Sequence, residues 1–171
     1  MTALLSGTRS ARPRRVIRLH TIDDLVADVD RIVAAARQDR VRSIGNWSPA
    51  QALQHLGRMI EFSFDGFPFR YPWRFRCAAA LLRLISWRWL AALVFRPGFK
   101  NPPEAAALEP DLTVSLDEAA EYLRRQLQRI RSGERMSRAS PVEGRISHDQ
   151  WVYAHLRHAE LHLSFLDFDG E

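Results

Sequence analysis

Six histidines punctuate the chain: His20, His55, His148, His155, His158 and His162. Near the C-terminus, Trp151, His155, His158, His162 and Phe165 fall at i, i+4, i+7, i+11 and i+14, which is one face of one helix. A face bounded by Trp151 and Phe165 should point inward, yet its centre is three imidazoles. Burying neutral imidazoles is costly unless their ring nitrogens find partners. A metal ion satisfies several at once. His158 and His162 stand at i, i+4, where side chains are about 5–6 Å apart at Cβ, so two rings can converge on one ion. Glu160, between them, points away, and the zincin arrangement of a general-base glutamate is not reproduced. A third ligand must come from another helix. His55 is the best candidate, mid-helix among Leu53, Leu56, Met59 and Ile60, where a surface histidine is out of place. The spacing leaves open a second reading, a set of core histidines hydrogen-bonded to backbone or carboxylates.

The elements that must position these rings announce themselves by four start signals. Each is a hydroxyl side chain followed three residues later by an acid or amide, just before an apolar-periodic run. The first is Thr21 to Asp24, leading Leu25, Val29, Ile32, Val33 and Ala36 to a helix end near Gln38. The second is Ser48 to Gln51, with Pro49 at the first helical position, where its missing N–H costs nothing. That helix runs to about Phe64, before Gly66 and Pro68. The third is Ser115 to Glu118, with Leu116, Ala120, Leu123, Leu127 and Ile130 following and Gly133 beyond. The last is Ser147 to Gln150, predicting a helix from about His148 to Leu166. No strand pattern and no internal repeat is visible. The reading is an all-α fold, a four-helix bundle with a long crossover and one extra inserted helix, basic and Trp-rich, over 70–96.

The chain has 171 residues, 46% hydrophobic and 26% charged, which excludes wholesale disorder and fits one domain. We expect a disordered basic tail over 1–15 and a single helical-bundle domain over 16–171. The lone cysteine, Cys77, excludes a disulfide framework or a multi-cysteine metal site and fits a reducing, cytoplasmic compartment. The N-terminus has basic residues but no apolar run of signal-peptide length, so no cleaved export signal is expected.

Charge is unevenly placed. The net charge is +5, yet residues 1–20 alone carry five arginines and no acid, and residues 70–100 carry six arginines, Lys100 and no acid. The remaining body is acidic. Arg83 and Arg88 interrupt the apolar stretch from Cys77 to Phe95, so no window of about 18 apolar residues survives to span a membrane. Contact of 70–100 with a membrane surface, through Trp73, Trp87 and Trp89, is the less favoured reading. The favoured one packs the segment on the bundle with its arginines reaching water. Nucleic-acid binding has only the charge runs in its support, and none is expected.

Two stretches resemble a known family. Asn46-Trp47-Ser48-Pro49-Ala50-Gln51-Ala52-Leu53-Gln54-His55-Leu56 and His155-Leu156-Arg157-His158-Ala159-Glu160-Leu161-His162-Leu163 are similar to the DinB/YfiT-like superfamily of proposed metalloenzymes, and more narrowly to its domain of unknown function 1569 subfamily. The order of elements from about 16 to 168 matches as well. The resemblance implies a DinB-like four-helix bundle, often a homodimer, with a three-histidine site for a divalent metal on His55, His158 and His162. His155 is then a further pocket residue or an alternative ligand, beside Trp47, Gln51, Phe62 and Trp151 as pocket or supporting residues. One departure is clear. Where the subfamily commonly reads His-Pro-x-Phe-Gly before the last helix, this chain has Ser140-Pro141-Val142-Glu143-Gly144.

Three neutral nitrogens leave a coordination position open, and imidazole suits zinc or nickel. Characterised members of the superfamily include transferases that use low-molecular-weight thiols. The expectation is therefore a metal-dependent transferase or isomerase that acts with a small thiol as co-substrate on a small electrophile. The alternatives are a non-catalytic metal-binding or membrane-peripheral protein, and a metal-dependent hydrolase. No residue stands out as a general base, and Cys77 lies too far along the chain from either motif to be given a role.

Overall fold

A computed structural model describes residues 14–86, 98, 103–142 and 144–168. Four principal helices begin where the start signals place them: α1 (Ile22–Ala36), α2 (Pro49–Asp65), α4 (Leu116–Arg131) and α5 (His148–Leu163), with α3 (Trp73–Ile85) between α2 and α4. Thr21, Ser48, Ser115 and Ser147 are the N-caps. In each case the hydroxyl accepts from the N3 backbone N–H and the N3 side chain accepts from the cap's own N–H. A six-residue 3-10 helix, Pro103–Leu108, interrupts the crossover between α3 and α4.

The core lies where the apolar stripes meet. Leu25, Val29 and Ile32 of α1 pack with Leu53, Leu56 and Ile60 of α2, Leu123 and Leu127 of α4, and Trp151 and Leu163 of α5, all buried. The α2–α4 pair is the tightest. Gly57 of α2 faces the Tyr122 ring so closely that a Cβ there would stand 2.6 Å from Tyr122 Cδ1. That ring is tethered in turn, since Tyr122 Oη donates to Glu61 Oε2 at 2.7 Å. Glycine at mid-helix costs propensity, but here it lets two helices approach.

The structure departs from the sequence reading at the edges. Two three-residue strands are present, β1 (Val41–Ser43) and β2 (Leu166–Phe168), paired antiparallel with Val41 opposite Phe168. They are too short to show an alternating pattern, and their partners lie at opposite ends of the domain. The last helix accordingly stops at Leu163, and Leu166 continues as buried strand. The tail assigned to 1–15 lies outside the described residues over 1–13, but Arg15 is held on the bundle. Its N–H donates to the Ser164 carbonyl at 3.1 Å, and its guanidinium forks onto Asp28 at 2.6 and 3.1 Å. Asp28 is a buried carboxylate on α1, compensated by Arg15 and by Arg31 at 2.9 Å. The inserted helix is present as α3, and its continuation over 87–97, with Trp87 and Trp89, lies outside the described residues, as does Glu143. Among the described residues no helix is long and apolar enough to cross a membrane.

Because each cap satisfies an otherwise orphaned N–H, replacing Ser48 or Ser147 with alanine is expected to cost about 1 kcal/mol in a denaturant titration. An unchanged midpoint for both variants would contradict the capping account.

Candidate metal centre

Helices α2 and α5 present their histidines to each other. His55 comes from the second turn of α2, and His158 and His162 from successive turns of α5. Their Nε2 atoms meet: His158 Nε2 lies 3.1 Å from His55 Nε2 and 2.9 Å from His162 Nε2. One nitrogen from each residue lies within 4.8 Å of the others. His55 and His158 are buried, and His162 is half-buried.

The ring of His55 is oriented from behind. Its Nδ1–H donates to the Leu108 carbonyl, at 2.7 Å, at the end of the 3-10 helix. That bond fixes the tautomer and turns the Nε2 lone pair toward the other two rings. The loop supplying the carbonyl is gripped by α2 itself. Arg58 donates to the Glu109 carbonyl and to Asp111 Oδ2 at 2.7 Å, while Gln54 bonds both the Asp111 backbone and its carboxylate. Trp47 closes the opposite side, stacked on His162 with centroids 5.0 Å apart and tilted against His55 at 4.6 Å.

Burial disfavours the imidazolium in all three rings. It pushes His55 down to about 4, His162 to about 3 and His158 well below its ordinary range. The rings are therefore neutral across the physiological range, the state in which histidine ligates. Two short contacts converge on His158 Nε2, and one proton cannot serve both squarely. With the His55 lone pair aimed inward, a proton on His158 Nε2 serves His55 and leaves the His162 contact without one of its own, while without that proton His55 and His158 meet lone pair to lone pair. A cation at the common point resolves this, and the three histidines could hold a metal ion.

The remaining residues singled out by sequence are not all gathered there. His155 faces elsewhere: its Nε2 bonds Ser63 Oγ at 3.1 Å, that hydroxyl donates to the Ile60 carbonyl, and its ring stacks on Trp151. It supports the core rather than offering a ligand. Trp151 is fully buried between His155 and Phe67, with its indole N–H on the Arg138 carbonyl. Phe62 joins an aromatic cluster with Phe67 and Phe69. Gln51 is spent in the Ser48 capping box. Of this group, Trp47 is the residue in ring contact with the cluster, through His55 and His162. Glu160 does point away, to accept from the Leu19 N–H at 2.6 Å and pair with Arg157. Ser140 is buried in a tight turn closed by paired backbone bonds to Gly144. Sequence reasoning missed Leu108, which acts through its carbonyl and so leaves no side-chain signal.

Fold and site together define an all-α bundle protein that carries a three-histidine cluster between its second and last principal helices. The chain belongs to a family described as "Protein of unknown function (DUF1569)", whose model matches residues 12–168. No curated protein and no solved structure matches the chain.

The buried imidazole of His155 makes stability depend on pH. It takes a proton near 6.5 in the unfolded chain but, because burial opposes the charge, only at about 3 when folded. Between those values the unfolded chain binds more protons, so stability falls as pH drops through the window. The variant His155→Gln is expected to flatten the slope by up to about 1.4 kcal/mol per pH unit in denaturant titrations. Equal slopes in the two proteins would contradict a neutral buried His155.

Proposed function

We propose that His55, His158 and His162 hold one divalent metal ion, zinc or nickel, and that the chain is a DinB-like metal-dependent transferase or isomerase joining a small thiol to a small electrophile. The observation that carries the metal reading is the convergence of three neutral Nε2 atoms from two helices on one point. The thiol chemistry rests on the likeness of the two histidine motifs to the DinB/YfiT-like superfamily.

Each residue has a distinct task. His158 and His162 supply two nitrogens from one rigid helix, and His55 supplies the third from across the bundle. The Leu108 carbonyl keeps the His55 proton on Nδ1, away from the ligand side. Trp47 keeps water off one flank of the His162 and His55 rings and offers an apolar surface for the substrate. A divalent ion so held supplies Lewis acidity, which lowers the pKa of a thiol or water near neutral pH. Among the described residues no carboxylate joins the three-histidine group, which favours electrostatic activation of a nucleophile over a protein base.

Protein purified without a histidine tag is expected to carry about one equivalent of metal. Stripping it should lower stability by about 2.7 kcal/mol where free metal had been a hundredfold above its dissociation constant. The substitution His158→Ala should abolish most of that chelator effect, together with thiol consumption in a screen of small electrophiles. An equal chelator shift in the variant would contradict the ligand assignment. Metal-dependent stability without thiol turnover would contradict the transferase reading alone.

A further inference from the structure

Helix α3 turns an apolar stripe to solvent. Trp73, Cys77 and Leu81 stand at i, i+4 and i+8, on one helical face, and all three are exposed, Trp73 at 69% and Leu81 at 66%. The opposite face is the seated one: Ala79 is buried and Phe75 half-buried. Phe75 contacts Tyr71, with centroids 4.8 Å apart, and Tyr71 is buried in a small cluster with Ala105 and Leu108. The outward orientation of Trp73 and Leu81 is thus fixed by an anchored inner face.

The charge around this stripe has one sign. Arg74 and Arg76 flank it, Arg70 precedes it, and all three are exposed. Arg74 lies over the Trp73 ring, 5.6 Å from its centroid. From 70 to 100 the sequence contains no acid. An apolar stripe ending in tryptophan with arginines on both flanks is the arrangement that lies in the plane of a bilayer, its apolar face about 5–10 Å into the headgroup boundary. A second copy of the chain is a poorer occupant. Several of its surface acids are already engaged by its own arginines, as in Arg124–Asp30, Arg37–Asp117 and Arg129–Asp65.

We propose that α3 docks the protein on a membrane surface rich in anionic lipid, with Trp73, Cys77 and Leu81 at the acyl boundary and Arg70, Arg74 and Arg76 on the headgroups. The sequence alone favours packing of this segment on the bundle, and Phe75 and Ala79 do seat α3 there, while the outward Trp73 and Leu81 leave its other face for the bilayer. The inference is independent of the metal reading, because none of these residues touches the three histidines. It does place the site near the membrane, since Leu108, which holds His55, belongs to the cluster that seats α3.

Sedimentation of the full chain with phosphatidylcholine vesicles, with and without phosphatidylserine, tests it. The protein should pellet with the anionic vesicles at low salt, be released at high salt and stay in the supernatant with neutral vesicles. Replacing Arg70, Arg74 and Arg76 with glutamine should weaken binding on the order of a hundredfold. A second variant, Trp73→Glu with Leu81→Glu, removes the apolar contribution and should also lose binding. Circular dichroism checks that both variants stay folded. No pelleting by the wild type at low salt, or undiminished pelleting by both variants, would overturn the proposal. So would a wild-type dimer that the Trp73→Glu, Leu81→Glu variant converts to monomer, since the stripe would then be an interface between copies.

Discussion

Three imidazoles pressed nitrogen to nitrogen in a buried space set the terms for the rest of this molecule. Each ring is neutral because burial makes the charged form expensive, and neutral rings facing one another cannot all be satisfied by their own protons. Two of the rings come from one helix at i, i+4, which requires only that α5 be regular through His158 and His162. The third comes from α2, and its meeting with the other two, more than a hundred residues along the chain, is what the bundle has to guarantee.

The guarantee is built in layers. Capping boxes at Ser48 and Ser147 fix where α2 and α5 start, and therefore which face each histidine occupies. The interior stack of Phe67, Trp151 and His155 sets α5 against the end of α2, and Ser63 locks His155 in that stack. On the far side, Glu160 and Arg157 tie α5 to the extended segment at Leu19, and Arg15 ties the same segment to Asp28 of α1. The two short strands close the circuit by joining the chain after α1 to the chain after α5. Finally, the crossover loop is clipped to Gln54 and Arg58, one residue before and one turn after His55, and this puts the Leu108 carbonyl on its ring.

What the sequence made legible follows the range of the interactions. Capping boxes involve four consecutive residues, so Thr21, Ser48, Ser115 and Ser147 could be read directly. The histidine face on the last helix is likewise local, and His55 stood out because its neighbours are apolar. Interactions that join distant segments left no comparable trace. Val41–Ser43 and Leu166–Phe168 are too short to alternate, Asp28 reads as one more acid in an amphipathic helix, and a backbone carbonyl such as that of Leu108 has no residue identity to detect. His155 shows the opposite failure. It shares the face and the spacing of the ligand candidates, and only the position of Ser63 distinguishes its role. Tryptophan identity was equally silent on orientation: Trp151 is sealed in the core while Trp73 faces water.

In the proposed centre three imidazoles, and not a mixed set of side chains, surround one ion. X-ray absorption at the metal edge of zinc- or nickel-loaded protein tests this without reference to any activity. The expected result is three histidine nitrogens around the ion, at about 2.0–2.1 Å for zinc, and a count that falls by one in His55→Ala. A shell of oxygen ligands, or a histidine count that the His55→Ala substitution leaves unchanged, would contradict it.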